Sequence, residues 1–128
     1  MRTRTAGSVL VTTVTVCAVL GVLVLGGVFW GIHQSVAKYS AVAQDAHPHP
    51  SDDIAALTDF VGASEHGLPQ RNHAVWTLGR LSDPRALSVL EANYTGELCD
   101  HNTMLCQDEL EKAIKRCGGK PAPRQTRR

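Results

Sequence analysis

Apolar and polar positions along this chain follow two different rhythms. From Val9 to Ile32 no charge interrupts a run rich in Val, Leu and Gly. At a helical rise of about 1.5 Å per residue, such a run crosses a hydrocarbon core of about 30 Å. The pattern predicts a transmembrane helix over residues 9–32, preceded by an N-terminal segment over 1–8. Trp30 and Tyr39 would mark the headgroup region, with the helix continuing into a juxtamembrane stretch. At Ala41–Pro50 the composition turns to Ala, Asp, His and Pro and ends in His-Pro-His-Pro, which no helix continues through. Residues 33–50 therefore read as a juxtamembrane helix and a linker; His47 and His49 invite a metal reading, but alternating histidines in a Pro-rich tether are more often polar spacers, and that is the reading expected.

Beyond Pro50 apolar residues recur at spacings of three and four, the period of a helix with one buried stripe. Ser51 is placed to cap a first helix carrying Ile54, Leu57, Phe60 and Val61 and ending near Gly62. A second is expected over about Gln70–Leu81, with Ala74, Leu78 and Leu81 on its stripe. Ser82 or Asp83 would cap a third, with Pro84 in its first position and Ala86, Leu87, Leu90 and Tyr94 inward. The fourth, from about Thr103 to Cys117, would bury Leu110, Ala113, Ile114 and Cys117 and stop at Gly118-Gly119. The fold class expected is all-α. Its helical domain spans 51–118, and a basic disordered tail follows over 119–128.

The four helices contain an internal echo. Ala56-Leu57 and Phe60 precede Ala86-Leu87 and Leu90 by a constant offset; Ala74, Leu78 and Leu81 precede Leu110, Ile114 and Cys117 by a slightly longer one. The difference is an insertion at Gly96–Thr103. Within this echo, Arg71, Ala74, Thr77-Leu78-Gly79, Leu81, Asp83-Pro84 and Ala86-Leu87 resemble the short bacterial HEAT repeat. The resemblance is specific from Arg71 to Leu87 and weaker over the rest of 51–118. Thr77 stands where the family pattern has a small Ala, and the second unit carries a Cys-bearing insertion. The resemblance implies two antiparallel helix pairs stacked as a protein-binding module, without catalysis. Repeat stacks usually need about three units, so contact with a partner would complete this one.

Charge sharpens the picture. Residues 51–111 carry eleven acids against Arg71, Arg80 and Arg85, whereas 112–128 hold seven Lys and Arg and no acid. The overall +1 thus hides an acidic domain with a basic end, able to meet anionic headgroups or the domain's own acidic face, or simply to stay solvated. Arg2 and Arg4 precede the apolar run, and only Lys38 follows it closely. The positive-inside rule then predicts a cytoplasmic amino terminus and an extracytoplasmic helical domain, periplasmic or extracellular. Ala41-Val42-Ala43 has the small-x-small form of a signal-peptidase site, but the apolar run is far longer than an ordinary signal core of about 7 to 15 residues. An uncleaved anchor is expected; a secreted module released behind Ala43 is the alternative.

Candidate chemistry is sparse. Trp76 falls about 200° round the helix from Ala74, opposite the buried stripe, with Asn72, His73 and Arg80 beside it. An outward Trp with an adjacent Arg is the composition of an interface hot spot. Gly27 and Gly31 form a G-x-x-x-G step that lets a second membrane helix approach. Cys99 and Cys106 bracket the insertion and are expected to form a disulfide if the domain faces an oxidising compartment, worth roughly 2 to 3 kcal/mol by loop entropy. The alternative is a thiol-redox or metal-handling site using Cys99, His101 and Cys106. A zinc site that also includes Cys117 fails on distance, because Cys106 and Cys117 lie about 16 Å apart on one unbroken helix. Cys117 reads as a small buried hydrophobe, and Val16 before Cys17 spoils a lipidation motif. Asn93-Tyr94-Thr95 has the form of a glycosylation acceptor late in a helix. No nucleophile elbow, phosphate loop, haem motif or cofactor signature is present, so no enzyme is expected. The expected partner is a protein, with an accessory role in a larger membrane complex as one setting. Nothing in the sequence implies a nucleic acid or a small-molecule substrate.

Overall fold

The computed structural model describes residues 3–124, with side chains from Val9 onward. Arg2, Arg127, Arg128 and the side chain of Arg4 lie outside the described residues. Every regular element among these residues is helical: α1 Thr3–Ala46, α2 Asp53–Gly62, α3 Leu68–Leu81, a 3-10 turn Pro84–Ala86 leading into α4 Leu87–Asn93, and α5 Gln107–Arg116. The chain divides into two compact units, one up to Ser35 and one from Val36 onward, and α1 contributes to both.

The first unit is the apolar part of α1. Its side chains are exposed, Leu25 at 71% and Phe29 at 76% among them. The hydroxyls of Thr13 and Thr15 donate to the carbonyls of Val9 and Val11, both at 2.9 Å. Satisfying a hydroxyl within its own helix is what an apolar surrounding demands. Among the described residues this one helix is long and apolar enough to cross a membrane.

In the second unit, α3 packs against both α2 and α5, while α4 touches α5 and α2. Leu57, Val61, Val75, Leu78, Leu90, Leu110 and Ile114 are fully buried between these helices. Burial follows the sequence echo. Ala56 and Ala86, Phe60 and Leu90, Ala74 and Leu110, and Leu78 and Ile114 are buried in both halves. Two positions depart from it: Leu87, the counterpart of Leu57, is only partly buried, and Leu81, the counterpart of Cys117, is 38% exposed where the chain turns away at Ser82, a left-handed residue. Thr77 is fully buried, and its hydroxyl donates to the His73 carbonyl at 2.8 Å. That bond satisfies the hydroxyl inside the core.

Helix boundaries follow local chemistry. Ser51 has φ 63 and cannot cap α2; Asp52 takes that place, its carboxylate accepting from the Ala55 N–H at 3.2 Å. Asp83 caps the 3-10 turn in the same way through the Arg85 N–H. Arg85 then ties the two starts together, reaching Asp52 at 2.8 Å and Asp83 at 3.0 Å. The expected start of α5 near Thr103 moves to Gln107, since the Asp100 carboxylate and carbonyl accept from Asn102, Thr103 and Met104 and hold those residues in turns. At the other end Gly118 adopts φ 89, and the N–H groups of Gly118 and Gly119 cap the carbonyls of Lys115 and Ile114. This is the Schellman arrangement. A Cβ on Gly119 would meet the Leu87 side chain at 2.6 Å, so a larger residue there must push Leu87 aside.

The linker also differs from expectation. The end of α1 is part of the helical unit: Ser40 and Ala43 are buried, and Tyr39 stacks on His73 with ring centroids 4.5 Å apart. Tyr39 thus serves packing. Residues 47–50 lie against α2 rather than spacing the unit from α1, with His49 within 2.6 Å of Asp59 and the Gln44 side chain pairing with the His49 backbone. In the basic end, Arg124 turns back to Asp108 and Glu111 on α5. That places part of it on the domain's own acidic face.

Candidate functional site

The residues singled out from the sequence fall in three places. On α3, Asn72, Trp76 and Arg80 run up one column at i, i+4 and i+8. Trp76 is half-buried, with the Arg80 guanidinium 5.2 Å from its ring centroid, within cation–π range. Asn72 is engaged internally: its side-chain oxygen accepts from the Cys106 N–H at 2.8 Å. His73 is engaged too, stacked on Tyr39 and with Nδ1 2.8 Å from the Pro69 carbonyl. Two of the four expected contact residues therefore brace the fold, and Trp76 and Arg80 form the outward pair.

The second place is the insertion. Cys99 and Cys106 are brought together with their sulfurs unbonded at 3.2 Å. His101 stays exposed; Asp108 joins the pair instead, its N–H donating to Cys99 Sγ at 3.2 Å. Burial pushes the Cys99 thiol above its ordinary value, opposed by the Asp108 N–H. The loop owes its shape to Gln107, a buried residue that the apolar stripe of α5 gave no reason to single out. Its side-chain oxygen accepts from Thr95 and Gly96, and its amide donates to the carbonyls of Asn93 and Leu105. Cys117 is buried as expected, its thiol facing the Leu78 carbonyl at 3.7 Å.

The third place is the apolar part of α1. A Cβ added at Gly27 or Gly31 would meet no heavy atom within 4 Å, so the small-residue step is open to an approaching helix.

A further group forms around His47, which the sequence pattern presents as a spacer. His47 Nε2 and His66 Nε2 lie 2.9 Å apart, with the Glu65 carboxylate close to both. No family model matches this chain, and neither a curated protein nor a solved structure does.

Proposed function

We propose that this chain is a single-pass membrane protein whose helical unit is a small HEAT-like interaction module. In this reading it docks a membrane-anchored protein and serves as an accessory subunit of a larger membrane complex. The amino terminus is cytoplasmic and the helical unit extracytoplasmic, following the charge bias around the apolar run. The observation that carries the reading is the pairing of an exposed apolar helix with the outward Trp76–Arg80 couple on α3. A large ring held under a guanidinium is desolvated on one side and presents apolar area at low entropic cost, the character of an interface anchor. The anchor confines the unit to the membrane surface, so a partner held in the same bilayer meets it at high effective concentration. Gly27 and Gly31 supply the matching contact between helices.

Gentle detergent extraction of the full chain from its native membrane, with mass spectrometry of co-purifying proteins, tests this. A stoichiometric membrane partner is expected, retained by Lys112→Ala and lost with Trp76→Ala. A partner that survives both Trp76→Ala and the Gly27→Leu/Gly31→Leu pair contradicts the assignment of surfaces.

A thiol-redox role is the second reading, favoured by the 3.2 Å approach of Cys99 and Cys106. It ranks below the first because burial raises the Cys99 thiol, the opposite of what an attacking thiolate needs. It requires Cys99→Ser to abolish activity without unfolding the domain.

A further inference from the structure

We infer that His47, His66 and Glu65 form a binding site for a borderline divalent transition-metal cation, with Zn2+ as the ion whose ligand preferences they match. The site clips the end of α1 to the loop between α2 and α3, and it is independent of the docking surface on α3.

The three donors come from two separate parts of the chain, yet their ligand atoms all lie within 4.8 Å of one another. The two imidazole nitrogens face each other at 2.9 Å. Around a tetrahedral zinc with bonds of about 2.0 to 2.1 Å, two nitrogens sit about 3.3 Å apart, so rotations that part the rings by a few tenths of an ångström admit the ion. Two imidazoles and one carboxylate are a recognised zinc donor set that leaves a fourth position for water. The carboxylate offsets half of the ion's charge.

The rings are held for this geometry before any ion arrives. His66 lies flat on Phe60, with centroids 3.8 Å apart and planes within 4°. His47 meets the same Phe60 edge-on at 6.0 Å and stands at 90° to His66. Phe60 is itself buried in the core, so one fixed ring orients both ligands. The His47 N–H caps the Ala43 carbonyl at the end of α1, and Pro48 follows it. On the other side of Pro48, His49 reaches Asp59 one position before Phe60, which pins residues 47–49 along α2. His47 and His66 are half-buried and Glu65 is exposed, so the site is sheltered on the core side and open to an incoming ion.

Cys99, Cys106 and Asp108 are a second group with metal-ligand atoms in proximity, and thiolates compete well for zinc. The test therefore uses the full-length chain without a polyhistidine tag, carrying Cys99→Ser and Cys106→Ser. The chain is purified in detergent, stripped with a chelator and titrated with Zn2+ in a calorimeter. One Zn2+ per chain is expected. Changes to residues that only orient a metal ligand typically cost about 10- to 100-fold in metal affinity, so loss of a direct ligand in His47→Gln or His66→Gln should weaken binding by about 100-fold or more. Glu65→Gln should weaken it less, and His101→Gln, at an exposed position in the insertion, not at all. Circular dichroism of each variant without zinc shows whether the fold is retained, and the two histidine variants stand in for each other if one is lost. No binding by the parent, or binding that persists in both His47→Gln and His66→Gln, overturns the site.

Discussion

Replacing Gln107 by Leu removes the clamp on the insertion while keeping nearly the same volume. Gln107 is 1% exposed and makes four bonds to backbone, at 2.8 Å to the Thr95 N–H, 3.0 Å to the Leu105 carbonyl, and 3.3 Å to the Gly96 N–H and the Asn93 carbonyl. The two shorter bonds have good geometry and the two at 3.3 Å are weak. At about 1 kcal/mol for each good bond, plus the cost of stranding the carbonyl of Leu105 and the N–H of Gly96 at buried residues, the loss is about 4 kcal/mol. The better burial of Leu returns about 1 kcal/mol of it. The net expectation is about 3 kcal/mol, which for a domain of this size lowers Tm by about 12 °C or more. The assay is thermal unfolding of the full chain in detergent by circular dichroism, in which the apolar helix stays folded in the micelle and the change reports the unit from Val36 onward. Gln107→Glu keeps the accepted bonds, loses the donated ones and buries a charge, so it should do no better than Leu. A fall in Tm below about 4 °C for Gln107→Leu would refute the claim that this side chain holds the insertion in place.

Other predictions follow from equally specific contacts. Gly79→Ala gains about 1 kcal/mol of helix propensity, but the new Cβ meets Cα and Cβ of Ala113 at 3.0 Å, and overpacking costs about 1 to 3 kcal/mol. Net destabilisation is expected, partly recovered by Ala113→Gly; a higher Tm for Gly79→Ala alone would contradict the close approach of α3 and α5. Mild oxidation of the folded chain should link Cys99 to Cys106, read as a joined peptide pair by non-reducing mass spectrometry, and Gln107→Leu should slow that closure. A pair that stays reduced in the wild type under oxidation counts against the expected staple. The carboxyls of Asp52 and Asp83 are held below the ordinary value of 3.8, Asp52 first by the Ala55 N–H and then by Arg85, Asp83 by Arg85. A depressed folded value gives stability present above the unfolded value and lost as pH falls through the folded one, so Tm should drop below about pH 4. Both groups are only partly buried, so that drop is small and shrinks with salt; Arg85→Gln should flatten it further, and an unchanged acid limb in that variant would remove the assigned cause.

The apolar run was legible from its length and lack of charge, and the stripes of α2, α4 and α5 because burial follows a single period there: Leu57, Leu90, Leu110 and Ile114 fall where spacing puts them. On α3 period alone failed. That helix lies between α2 and α5, so Val75, Thr77 and Gly79 are buried beside Ala74 and Leu78, a wider face than one stripe. Gly79 looked like part of a motif, and only its contact with Ala113 shows why a side chain is disfavoured there. Gln107 was missed because a polar residue beside a helix start reads as surface unless its backbone partners are known. The His-Pro-His-Pro stretch read as a spacer for a similar reason: Phe60, Asp59 and His66 reach it only after the chain has folded back. Composition can identify a Pro-rich break in a helix, and it carries no information about which helix the break lies against.

Site-specific photo-crosslinking in the native membrane tests the central claim most directly. A benzophenone side chain is placed at position 80 beside Trp76, or at the exposed position 112 on α5. A light-dependent adduct to a membrane protein is expected from position 80, absent from position 112 and lost when Trp76→Ala is added. No adduct from position 80, or the same adducts from both positions, would contradict the assignment of this chain as an anchored module that docks a partner through α3.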